Sequence, residues 1–139
     1  MSTRYYQAYS RATHTVGKTR QVVMLYDGTI RFLAQAREAM EKNEIERRFT
    51  ALTRASDILI GLQSCLDFDA GRDAAQALYD FYAAMDARIA QLHRNNDTAA
   101  CDGIITELRK MRDVWGTIDR GPETAQPARP LDQPAPVSA

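Results

Sequence analysis

Histidine and cysteine are scarce in this chain and proline is missing from its first 121 residues, and each of these lacks narrows what the chain can be. There are two histidines, His14 and His93, among 139 residues. No Glu-x-x-His pair occurs, which excludes the di-iron carboxylate arrangement of ferritin-like bundles. Neither His-Glu-x-x-His nor paired Cys-x-x-Cys is present, so no metal site is expected. The seven glycines stand singly and form no phosphate-cradling loop. No catalytic residue and no cofactor is expected. The one relay chemistry that uses an exposed histidine on a helical bundle is phosphotransfer. His93 is followed by Arg94-Asn95-Asn96 and lacks the lysine and small residue usual in that context. It reads more simply as a helix C-terminal histidine placed favourably in the helix dipole.

The two cysteines, Cys65 and Cys101, read as small buried hydrophobes of a reducing compartment. Met1-Ser2-Thr3-Arg4-Tyr5-Tyr6 has no apolar signal core. No stretch approaches the roughly 18 apolar residues of a membrane span. A cytoplasmic protein without membrane insertion is expected. Formal net charge is zero, so no overall field steers the chain to nucleic acid. The charge is uneven: residues 1–20 carry Arg4, Arg11, Lys18 and Arg20 with no acid, a local +4.

All five prolines lie at or after Pro122. The segment 121–139 is rich in Pro and Ala and reads as a disordered tail. The proline-free remainder can form long unbroken helices. Four helical patterns fill it. The first spans Gly17–Lys42, with an apolar face of Val22, Leu25, Tyr26, Leu33, Ala36 and Met40, widened by Val23, Ile30, Phe32 and Ala34. The second spans Ile45–Leu66, with Ile45, Phe49, Leu52, Leu59, Leu62 and Leu66 on its face. The turn Asp67–Gly71 follows, where Gly71 can take a positive φ and an aspartate can cap the next helix. The third spans Arg72–Arg94 with a heptad seam of Ala75, Leu78, Tyr82, Met85, Ile89 and Leu92. The fourth spans Thr98–Ile118 with Cys101, Ile104, Ile105, Leu108, Met111, Trp115 and Ile118 inward, ended by Gly116 and Gly121. Long helices joined by short turns imply an all-α, antiparallel up-down four-helix bundle over 17–120. Residues 1–16, which hold Tyr5, Tyr6 and Tyr9, are expected to form a short cap helix across it.

Three features point past a closed core. Gly28 lies inside a strong helix at a cost of about 1 kcal/mol relative to Ala. It serves either close helix approach or the floor of a peptide groove. Asp27 beside it is either solvated or paired with the N-terminal arm. Tyr26 and Tyr82 sit on seam positions, and a buried phenol without a partner costs about 1–3 kcal/mol. Such tyrosines suit a groove edge, ring inward and hydroxyl outward, or a bond to Asp27 or Asp86.

Leu25-Tyr26-Asp27-Gly28 resembles the Leu-[Tyr/Phe]-Asp-Gly motif of the FliS family of flagellar export chaperones. In order along the chain, Ala8-Tyr9, Leu66-Asp67 with Gly71, Leu78-Tyr79-Asp80-Phe81-Tyr82 with Met85, Asn95-Asn96-Asp97 and Trp115 are similar to further family segments. The resemblance covers about 5–118. It departs from the pattern at Gly17-Lys18 (usually Ser-Pro), at Gln21, at Arg72 (usually a second glycine), and at Asp86–His93, which lacks the usual Ala-Asn ending. The resemblance implies a small N-terminal cap on a four-helix bundle. It implies binding of the disordered C-terminal segment of flagellin, prevention of premature polymerisation, and delivery to the FlhA-type component of the type III export gate. On that basis the expected partner-binding residues are Tyr9, Tyr26, Ile30, Leu33, Leu62, Leu66, Tyr79 and Tyr82, some lining a groove and some serving the core. The chain is expected to be a monomer or weak homodimer. Competing readings are a histidine phosphotransfer bundle and a structural homodimer built on the third helix's heptad seam, with no client.

Overall fold

The computed structural model describes residues 18–124. The expected cap over 1–16, with Tyr9 and His14, and the tail beyond residue 124 lie outside the described residues. Four helices follow one another: α1 Thr19–Glu41, α2 Ile45–Ser64, α3 Arg72–Leu92 and α4 Thr98–Thr124. They pack as an antiparallel up-down bundle, each against its two neighbours in the ring. Their apolar stripes account for this. The α3 seam is buried at all six expected positions, Ala75, Leu78, Tyr82, Met85, Ile89 and Leu92. On α4, Cys101, Ile104, Ile105, Leu108, Trp115 and Ile118 join them in one continuous core.

The four seams are unequal, and residue size explains the order. The α1–α2 and α1–α4 contacts are the most extensive, and α3–α4 the least. Gly28 and Ala39 of α1 and Ala51 and Ala55 of α2 are all buried, which lets those two backbones come close. Phe81 of α3 and Met111 and Val114 of α4 are larger and only partly buried against the core.

The turns close by local chemistry. Asn43 ends α1 in the left-handed conformation, φ 55°. Asp67 Oδ1 accepts from the backbone N–H groups of Asp69 and Ala70, both at 3.1 Å. Gly71 does not take the expected positive φ: its φ is −133°, and it serves as the N-cap of α3 without a side-chain cap. The Asp67 side chain already folds that turn, so the glycine's left-handed region goes unused. Asp97 caps α4 by accepting from Ala100 N–H at 3.0 Å. The fourth helix runs through Gly116 and is broken only at Gly121, φ 87°.

Five face assignments change: Ala34 on α1 and Cys65, the C-cap of α2, are exposed instead of buried, and so are three larger residues. Leu25 is 42% exposed, and Ile45 and Phe49 are 68% and 59% exposed. Leu25 is next to Tyr26 in sequence and therefore about 100° from it around the helix, outside the inward stripe. On α2 the inward positions are Ala51, Leu52, Ala55, Leu59 and Leu62. The small Ala51 and Ala55 mark the true core line, which hydrophobicity alone underweights.

Candidate partner-binding surface

Inside the bundle, Tyr26 and Tyr82 meet across the diagonal from α1 to α3. The Tyr26 hydroxyl donates to the Tyr82 hydroxyl at 2.9 Å, with both residues 1% exposed. The hydroxyls point neither outward nor to Asp27 or Asp86, contrary to expectation. Each phenol gives the other the polar partner that paired helix carbonyls cannot supply. Burial pushes the Tyr82 phenol well above its ordinary range, and the bond from Tyr26 partly opposes that shift. Nearby, the Cys101 thiol donates to the Leu33 carbonyl at 3.4 Å, and burial pushes it up to about 11.

Asp27 pairs with Arg112 of α4, whose Nε and Nη2 donate to its two carboxylate oxygens at 2.8 and 3.2 Å. This two-point bond holds the guanidinium's pKa up. The Arg112 partner was not legible in sequence, since it lies 85 positions away. Arg37–Asp102 at 2.6 Å and Arg20–Asp119 at 3.6 Å continue a line of ion pairs along the α1–α4 seam. These pairs are partly solvated and serve alignment more than stability.

The expected binding residues fall into three groups. Tyr26, Leu33, Leu62 and Tyr82 belong to the buried core. Ile30 and Leu66 are partly buried and packed against it. Tyr79 is exposed, and its ring lies 6.1 Å from that of Phe68. Other apolar side chains on the outside were missed by the sequence reading: Met24 and Leu25 on α1, Ile60 on α2, and Phe68 in the following turn. Their signal was present as apolar residues in surplus of each helix's inward stripe.

Two further stretches of the outer surface have defined geometry. Where α2 lies against α3, Gln63 Nε2 donates to the Tyr79 carbonyl at 3.2 Å, and the Ser56 hydroxyl bonds to Asp86. Ile60 lies on the outer shoulder of this junction, exposed. At the α1–α2 turn, Phe49 meets His93 edge-on, centroids 5.3 Å apart. Burial first, and then Arg48, holds the His93 imidazole below its usual pKa. Arg48 spans the two turns at this end, donating to Asn96 Oδ1 at 2.9 Å and the His93 carbonyl at 3.1 Å. Among the described residues no group of three or more His, Cys, Asp or Glu is placed to hold a metal, and no helix is long and apolar enough to cross a membrane.

The fold and its surface define an antiparallel four-helix-bundle protein that keeps large apolar side chains outside its core. Within that class the chain belongs to the FliS family, whose model, described as flagellar protein FliS, matches residues 1–122. It is 35% identical over 97 residues to the flagellar secretion chaperone FliS of Vibrio cholerae, covering 70% of this chain and 71% of that one. Over 99 residues it is 32% identical to the flagellar secretion chaperone FliSB of Pseudomonas aeruginosa, covering 71% of this chain and 79% of the relative. A longer match, 122 residues at 25% identity, relates it to the FliS chaperone of Campylobacter jejuni, covering 87% and 95%.

Proposed function

We propose that this protein is a cytoplasmic flagellar export chaperone that binds the disordered C-terminal segment of flagellin, keeps it from polymerising early, and helps deliver it to the FlhA-type component of the export gate. The observation that carries this reading is the set of large apolar side chains left outside a full core, Met24, Leu25, Ile60, Phe68 and Tyr79. Among them Phe68 and Tyr79 stand together, ring centroids 6.1 Å apart, and an exposed apolar patch on a monomer suits a partner surface. Membership of the FliS family, with relatives named flagellar secretion chaperones, supports flagellin as that partner.

The physics suits the task. A filament-forming segment is amphipathic and self-associates until its apolar face is covered. A disordered client loses entropy on binding, so the interface must be broad and the affinity stays moderate enough for release. Of the expected binding residues, Tyr79, Ile30 and Leu66 are reachable from outside, while Tyr26, Leu33, Leu62 and Tyr82 belong to the core. Tyr9 is proposed to occupy part of the client surface when it is empty. The role is binding and no chemistry is assigned to it. Seeded flagellin polymerisation followed by light scattering tests the reading. An equimolar amount of this protein is expected to suppress filament growth, and undiminished growth would refute it.

A further inference from the structure

Residues 125–139 carry Pro127, Pro130, Pro134 and Pro136 and lie beyond the residues 1–122 that the family model matches. Proline-rich sequence favours the polyproline helix, which repeats every three residues. At that repeat the segment is two-faced. One edge holds Pro127, Pro130 and Pro136, interrupted by Gln133, and the next holds Leu131, Pro134 and Val137. Arg129 and Asp132 fall together on the third. A solvated spacer gains nothing from such sorting, whereas a segment that lies against an apolar surface does.

Proline-rich segments dock on surfaces lined by aromatic side chains. Phe68 and Tyr79 are both exposed, with ring centroids 6.1 Å apart and ring planes inclined at 54°. They form an aromatic corner beside the α2–α3 turn. Helix α4 closes at Thr124, at the same end of the antiparallel bundle as that turn. Just before, Gly121, with φ 87° and ψ 164°, turns the chain off the α4 axis. Neighbouring helix axes stand about 8–10 Å apart, and Tyr79 lies two turns along α3, about 10 Å from its start. In polyproline conformation, at about 3.1 Å per residue, Pro130 is about 19 Å of chain beyond Thr124 and Pro134 about 31 Å. The edge from Leu131 to Val137 thus has the reach to lie across both rings. Charge agrees with this placement. Asp69, Asp73 and Asp80 are exposed around the corner, and Arg72 is the lone base among residues 67–80, so Arg129 on the polar edge has acids beside it. The N-terminal arm, the other segment that starts from this end, is basic but holds no proline.

We propose that the C-terminal tail folds back so that its Leu131, Pro134 and Val137 edge covers Phe68 and Tyr79 of the same chain, a tethered competitor for that corner of the partner surface. Tethering gives the segment an effective concentration on the order of millimolar, so a weak contact suffices to keep the rings covered. A client that binds more tightly displaces it. The docking stands without the flagellin reading, and the competition rests on that reading.

Paramagnetic broadening of amide signals in the full chain tests this. Cys65, close in sequence to Phe68, is exposed and Cys101 is buried, so a nitroxide label goes to Cys65. The amides of Leu131, Asp132 and Val137 are expected to lose most of their intensity in the labelled protein and to regain it when the label is reduced. L131D/V137D leaves the bundle untouched. It is expected to abolish the broadening and to shift the ring signals of Phe68 and Tyr79. Tail signals at full intensity in the labelled wild type, or broadening that L131D/V137D retains, overturn the docking. Broadening of residues 1–17 alone gives the corner to the N-terminal arm and overturns it too. So does broadening passed from labelled to unlabelled copies in a mixed sample, which gives the corner to a second copy. Adding the C-terminal segment of a flagellin is expected to restore the tail signals. If that segment binds and the tail stays broadened, the competition is overturned. If it does not bind, the flagellin reading falls, the competition falls with it, and the docking stands.

Discussion

The hydroxyl of Tyr26 donates to the hydroxyl of Tyr82 at 2.9 Å in the middle of the bundle, joining α1 to the diagonally opposite α3. Adjacent helices in the ring are tied by many side chains, but this bond crosses the core. It ties α3 to a helix other than its ring neighbours, beside the slack α3–α4 seam. A polar bond at one core level also fixes the helices' relative register, because a slip of one turn would leave both phenols buried without each other.

A double-mutant cycle should therefore show coupling. Y26F removes the donor that Tyr82 uses and is expected to cost about 1–2 kcal/mol in chemical denaturation. Y26F/Y82F removes both polar groups, and its cost is expected to fall short of the sum of the single changes. Strict additivity would show that the bond contributes nothing specific.

Alkaline pH should erode the fold through the same residue. The Tyr82 phenol is raised above its ordinary value of 10.0 by burial, and the Cys101 thiol is raised from 9.0 to about 11. A group whose folded pKa is raised binds its proton more tightly in the native state. Its stabilising effect is complete below the unfolded pKa and is lost as pH climbs toward the folded one. Melting temperature is expected to hold up to about pH 9 and then fall, with a shallower decline above pH 10 in Y82F. Parallel curves for wild type and Y82F would contradict the assignment.

Removal of residues 1–12 tests the role proposed for Tyr9. If the arm covers part of the client surface, the truncated protein should melt lower without client and bind the flagellin segment with altered affinity. Unchanged values for both would separate the arm from the binding surface.

The sequence made the bundle legible because helix periodicity is a local signal. The α3 seam was readable at every position, since Ala75, Leu78, Tyr82, Met85, Ile89 and Leu92 alternate by three and four. The outward turn of Leu25, Ile45 and Phe49 was not readable, because the inward line of α2 is marked by small Ala51 and Ala55. An apolar residue near a stripe looks alike whether it faces the core or a partner. The partners Tyr26–Tyr82 and Asp27–Arg112 depend on which helices meet at which level, a long-range property that neither residue's neighbours encode. The surface was legible only as surplus: more large apolar residues than one stripe per helix requires.

Flagellin is the proposed partner of these surplus residues. Calorimetric titration of the full chain with the C-terminal segment of a flagellin, about 40–50 residues to reach along two helix spans, measures that pairing directly. The expected result is one-to-one binding at micromolar Kd or tighter, with a negative heat-capacity change from apolar burial. Absence of binding at micromolar concentrations would contradict it.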